Sequence, residues 1–150
     1  MSSPVVIRVS HRYSTPAERV FDAWLTPNQA ARFLFRTRTG NVMQCEIQPE
    51  VGGGFTVIDR RPAAEGDESV FDVVHMGKYL EIDRPRRLVF TWGIAGFSVD
   101  ETDVTVEIVP LESGCELTLT HRKVWSEYAE RTQSGWTTMV EALARELDNA

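Results

Sequence analysis

The sequence predicts an α+β domain made of a first strand, two short helices, an antiparallel meander of six strands, and one long C-terminal helix. Three observations carry this. Apolar residues alternate with polar ones from Val5 to Tyr13, and again in successive runs between Asn41 and His121. Two Thr-Pro pairs, Thr15-Pro16 and Thr26-Pro27, mark helix starts directly after the first run. Beyond Ser126 the period changes to that of a helix, with Tyr128, Thr132, Trp136, Met139, Leu143 and Leu147 along one stripe.

Composition narrows the class further. A chain of 150 residues, 42% hydrophobic and 25% charged, lies far from the profile of disorder and within the range of one domain, 1–150. Net charge is −6, and the basic residues are scattered or in short clusters such as Arg84-Pro85-Arg86-Arg87, which argues against a nucleic-acid partner. No apolar run reaches the roughly 20 residues of a membrane span, and Met1-Ser2-Ser3-Pro4 leads into a strand with no signal-peptide core. Cys45 and Cys115 are too few for a disulfide framework, so the expected location is the cytoplasm.

In the first strand Val5, Ile7, Val9, His11 and Tyr13 share a face. Thr15 is the expected N-cap of the first helix, with Pro16 at its first position and Glu18 third after the cap; Val20, Phe21, Trp24 and Leu25 form its apolar stripe. Thr26, Pro27 and Gln29 repeat the pattern for a second short helix carrying Ala30 and Phe33. In the meander, Met43, Cys45 and Ile47 alternate with polar neighbours, and Gly52-Gly53-Gly54 punctuates a turn before the strand Phe55 to Asp59. Val70 to Ile82 reads as a long strand with a bulge or close approach at Gly77. Leu88, Phe90 and Trp92, then Val104, Val106 and Ile108, then Leu117, Leu119 and His121 supply the inward faces of the last three strands. The final helix is expected from Glu127 to about Asp148, capped by Ser126, at about 33 Å. Gly135 inside it predicts a crowded position, since glycine there costs roughly 0.8–1.0 kcal/mol relative to alanine.

This order of elements resembles the homologues of the activator of heat-shock-protein-90 ATPase, a branch of the SRPBCC superfamily. The stretches that carry the resemblance are Thr15-Pro16-Ala17-Glu18-Arg19-Val20-Phe21-Asp22-Ala23-Trp24, Gly77-Lys78-Tyr79-Leu80-Glu81-Ile82-Asp83, Arg87-Leu88-Val89-Phe90-Thr91-Trp92, Leu117-Thr118-Leu119-Thr120-His121 and Gly135-Trp136. It implies a helix-grip (START-like) fold, in which a curved antiparallel sheet of about seven strands wraps the long C-terminal helix around an apolar cavity. It also brings in a chaperone partner, although the additional N-terminal domain of the co-chaperones has no counterpart in this sequence.

Such a cavity implies an apolar or aromatic small-molecule ligand. The candidate ligand-binding residues are Phe33 and Phe35 at the mouth, Tyr79 as a hydroxyl donor, and Met43, Phe90, Trp92, His121, Trp136, Met139 and Val140 on inward positions. An enzyme of cyclase or hydrolase type would use His121 and Tyr79 as its acid–base pair. A protein-interaction module of the chaperone-activator type is the third alternative, and a homodimer stays open. His11, His75 and His121 sit on separate strands without a metal-binding spacing, and no metal or other cofactor is expected. Gly52-Gly53-Gly54 lacks the Lys-Ser or Lys-Thr of a phosphate loop, and Ser98 lacks the second glycine of a nucleophile elbow.

Overall fold

A computed structural model describes residues 4–34, 41–62, 69–95 and 102–148. Its elements run β1 (Pro4–Tyr13), α1 (Ala17–Ala23), α2 (Pro27–Phe33), β2 (Asn41–Ile47), β3 (Gly54–Pro62), β4 (Val70–Asp83), β5 (Arg87–Ile94), β6 (Thr102–Leu111), β7 (Gly114–Trp125), a 3₁₀ turn (Ser126–Tyr128) and α3 (Ala129–Asp148). The strands form one curved sheet in the order β1-β7-β6-β5-β4-β3-β2, and every neighbouring pair is antiparallel. Strands β2 to β7 are a meander, and β1 completes the sheet by pairing with β7. Helix α3 lies against β1, β7 and α2, while α2 also reaches β2, so the helices close over the concave face.

Polar ties hold the helices in place. The Tyr13 hydroxyl donates to the Val140 carbonyl at 2.8 Å, pinning the end of β1 to the middle of α3. Arg32 on α2 donates to Glu146 on α3 at 3.0 Å. Arg84 in the β4–β5 turn grips Asp22 on α1 through two bonds of 2.7 and 2.9 Å, which lowers the Asp22 carboxyl below its ordinary pKa.

The helix ends depart from expectation in their caps. Pro16, with an extended ψ of 148°, is itself the N-cap of α1, and its carbonyl accepts from Arg19 and Val20. Thr15 is therefore outside the helix. The start of α2 is as expected, with Thr26 at the N-cap and Pro27 first. The Thr26 hydroxyl, however, donates back to the Asp22 carbonyl at 2.7 Å instead of capping α2. Ser126 belongs to a 3₁₀ turn that leads straight into α3, so the last helix has the expected end but a tighter first turn.

Two further expectations are corrected. Met43 is 54% exposed because a register shift between Val42 and Gln44 sets the two halves of β2 on different parities, and Val42 packs on the core instead. Gly135 is not crowded: a Cβ there would meet nothing nearer than Met139 Cε at 4.0 Å. Gly135→Ala is accordingly expected to stabilise the domain by about 0.8–1 kcal/mol in urea denaturation. A destabilised variant would restore the crowded interpretation. Among the described residues no helix is long and apolar enough to cross a membrane.

Candidate functional site

The inward side chains of the sheet and the buried stripe of α3 form an interior with two different ends. One is aromatic. Trp24, the C-cap residue of α1, meets Phe33 edge-on at 5.2 Å, Phe90 at 6.4 Å and Trp136 at 6.3 Å, and Phe55 links Phe90 to Tyr79. Phe33, Tyr79, Phe90, Trp136 and Val140 are all buried here, while Met139 is only partly covered. Phe33 is thus a core residue behind Trp24 and not part of a mouth, and Phe35 lies outside the described residues.

The other end is polar, where β3, β5 and β7 finish and β4 and β6 begin. Trp136 Nε1 donates to His121 Nδ1 at 2.9 Å. An indole nitrogen can only donate, so Nδ1 is bare and the neutral ring carries its proton on Nε2. That N–H meets Thr102 Oγ1 at 2.6 Å, and the Thr102 hydroxyl donates onward to the Trp92 carbonyl at 2.9 Å. Burial pushes His121 down to about 4, and nearby Asp103 opposes this only in part. With both nitrogens engaged, His121 is a fixed strut between the sheet and α3, and it shares no hydrogen bond with Tyr79. Tyr79 is itself held neutral, its hydroxyl pKa raised by burial and by Cys45.

A second Trp–His pair stands beside the first. Trp92 Nε1 donates to His75 Nδ1 at 3.2 Å with the two rings stacked at 5.9 Å, and Trp92 meets His121 edge-on at 5.3 Å. Burial, with the Arg61 charge close by, pushes His75 down to about 3. On β3 the fully buried Asp59 holds Arg61 through Nε at 2.7 Å. His11 is apart from both pairs, against Tyr13 on β1. Among the described residues no three His, Cys, Asp or Glu side chains are grouped to hold a metal ion.

Trp24, Asp59, Arg61 and Thr102 also belong to this interior, although none was a candidate from the sequence. Asp59 had a signal: it continues the parity of Phe55 and Val57, which makes it a carboxylate on the buried face of a strand. Thr102 had none, because its role depends on which strand lies beside β7. Two open clefts of about 530 and 490 Å³ occur elsewhere, one beside the β2–β3 turn and one beside the β6–β7 turn, and neither includes a predicted site residue.

A curved antiparallel sheet closed by a long C-terminal helix over a mixed aromatic and polar interior defines a helix-grip domain. The chain belongs to the family described as "Activator of Hsp90 ATPase homolog 1-like protein", whose profile matches residues 14–148, within the SRPBCC superfamily. Among solved structures it is similar to protein CV1439 from Chromobacterium violaceum, at 23% identity over 93% of this chain and 94% of that one, with a TM-score of 0.81. It is also similar to protein SA2116, described as of unknown function, from Staphylococcus aureus (16%, 99% and 96%, TM-score 0.79). The AHSA1-like protein from Aeromonas hydrophila is a third (20%, 97% and 93%, TM-score 0.76). These likenesses establish the fold. No curated protein is detectably similar in sequence.

Proposed function

We propose that the chain binds a small apolar or aromatic molecule between the concave face of the sheet and α3. The chief support is the indole N–H of Trp24. The residue is 2% exposed, Phe33, Phe90 and Trp136 surround it, and Nε1 has no acceptor among the described residues. A buried donor left unpaired costs about 1–3 kcal/mol, and such groups are rare in native interiors. A ligand that brings an acceptor to Trp24 recovers that energy, and the aromatic walls receive its apolar body. Helix-grip domains of this family commonly bind hydrophobic ligands, which agrees with this assignment. Phe90, Trp92, Trp136, Met139 and Val140 remain as walls, with His121 and Tyr79 as neutral polar neighbours, whereas Met43 drops out because it faces solvent.

Prodan, an environment-sensitive naphthalene dye with one carbonyl, tests this directly. It is expected to bind with one-to-one stoichiometry and to change the tryptophan fluorescence. Trp24→Phe keeps a ring but removes the N–H, and should weaken binding about five-fold, the worth of one net hydrogen bond. Binding unchanged in Trp24→Phe, Trp92→Ala and Trp136→Ala alike, each shown to be folded, would place the dye elsewhere and overturn the assignment.

A further inference from the structure

Resting on that proposed binding site, we propose that the ligand is an aromatic carboxylate whose anionic group is received by the guanidinium of Arg61 at the polar end. Positions 55, 57, 59 and 61 of β3 share the inward parity, and the first three are buried as Phe55, Val57 and Asp59. Asp59 is 0% exposed, and its Oδ2 accepts from Arg61 Nε at 2.7 Å. Stability alone does not account for an ion pair at this place, because replacing a buried pair with apolar residues is often neutral or stabilising.

What the pair provides is an oriented fork. A guanidinium carries five N–H donors in one plane, and Asp59 occupies the Nε side. Neither Nη of Arg61 has an acceptor among the described residues, and its side chain is 29% exposed, at the passage from interior to solvent. A fork held on one edge and open on the other matches the two oxygens of a carboxylate. His75 lies within reach of the Arg61 charge, and its ring stacks on Trp92 to give a flat aromatic surface. His75 is neutral, so Arg61 is the cation that selects the ligand's charge.

The matched probes are 2-naphthoate and naphthalene-2-carboxamide, which share one shape and differ in charge. Titration calorimetry should show the parent binding 2-naphthoate at least about ten-fold more tightly, a difference of about 1.4 kcal/mol. Arg61→Gln should bring that ratio to about one while leaving the carboxamide affinity within two-fold. Since Arg61→Gln removes the cation beside Asp59, the Asp59→Asn/Arg61→Gln double variant, which sets two neutral groups side by side, should give the same loss of discrimination in a folded protein. Equal affinities in the parent, or a discrimination that survives in both variants, overturns the role of Arg61 while the cavity stands. Binding of neither probe to the parent overturns the carboxylate site, while the Prodan titration decides separately whether the cavity at Trp24 stands.

Discussion

Acid is expected to destabilise this domain steeply from pH 6.5 downward, with most of its stability gone near pH 4. Two buried histidines set that window. His121 and His75 are held near 4 and 3 in the folded chain, against an ordinary value of 6.5 when unfolded. Below 6.5 the unfolded chain therefore binds more protons than the folded one, and stability is lost as pH falls through the folded values. The slope approaches about 1.4 kcal/mol per pH unit for each histidine, so the two together remove roughly 5–6 kcal/mol between pH 6.5 and 4. That is comparable with the whole stability of a typical domain.

The geometry explains why neither ring takes a proton readily. Each presents a bare Nδ1 to an indole N–H, His121 to Trp136 and His75 to Trp92. A proton on Nδ1 sets donor against donor in a buried place, so charging either ring means giving up the bond that ties it. Urea midpoints at pH 8, 6.5, 5.5 and 4.5, followed by circular dichroism, measure the slope. His75→Phe should remove roughly half of it. A midpoint that stays level from pH 7 to 4.5 would show that both rings can charge in place.

Much of the fold was legible because periodicity reports burial. The inward sets Leu88 and Phe90, Val104, Val106 and Ile108, and Leu117, Leu119 and His121 all fell where alternation put them. The long helix was legible for the same reason, through Trp136, Leu143 and Leu147. Met43 failed because a register shift changes parity inside a strand without any mark in the sequence. Thr15 failed because a threonine before a proline has the chemistry of a cap whether or not the backbone places it there. The polar end of the interior was the least legible part. The links Thr102–His121–Trp136 and Asp59–Arg61 depend on strand order and on side-chain direction, and a linear pattern holds neither. His121 could be picked out as inward, but only its two partners show that it is a strut.

Gly77→Ala is expected to destabilise the domain by about 3 kcal/mol or more. Met76 pairs with Gly93 and Tyr79 with Phe90, so Gly77 lies across from Trp92, next to the Thr91 carbonyl of β5. A Cβ at this position would lie 1.8 Å from the Thr91 carbonyl oxygen and 2.7 Å from Phe55 Cε1. The oxygen is backbone and cannot rotate aside, so the two strands would have to part, and the Lys78 N–H would be drawn off Thr91 Oγ1, now at 2.9 Å. Overpacking of this kind costs about 1–3 kcal/mol when neighbours can yield, and more when they are backbone. Damage should also reach the interior, because Phe55 packs on both Phe90 and Tyr79. Of the bulge or close approach expected at Gly77, the structure shows the close approach, and a separate register shift lies three residues on at Leu80, whose side chain turns outward. Gly135→Ala adds the same methyl to an open helix position and is expected to stabilise. Chemical denaturation of the two variants beside the parent should therefore give shifts of opposite sign, and a Gly77→Ala midpoint at or above the parent's would mean that the two strands can part at little cost.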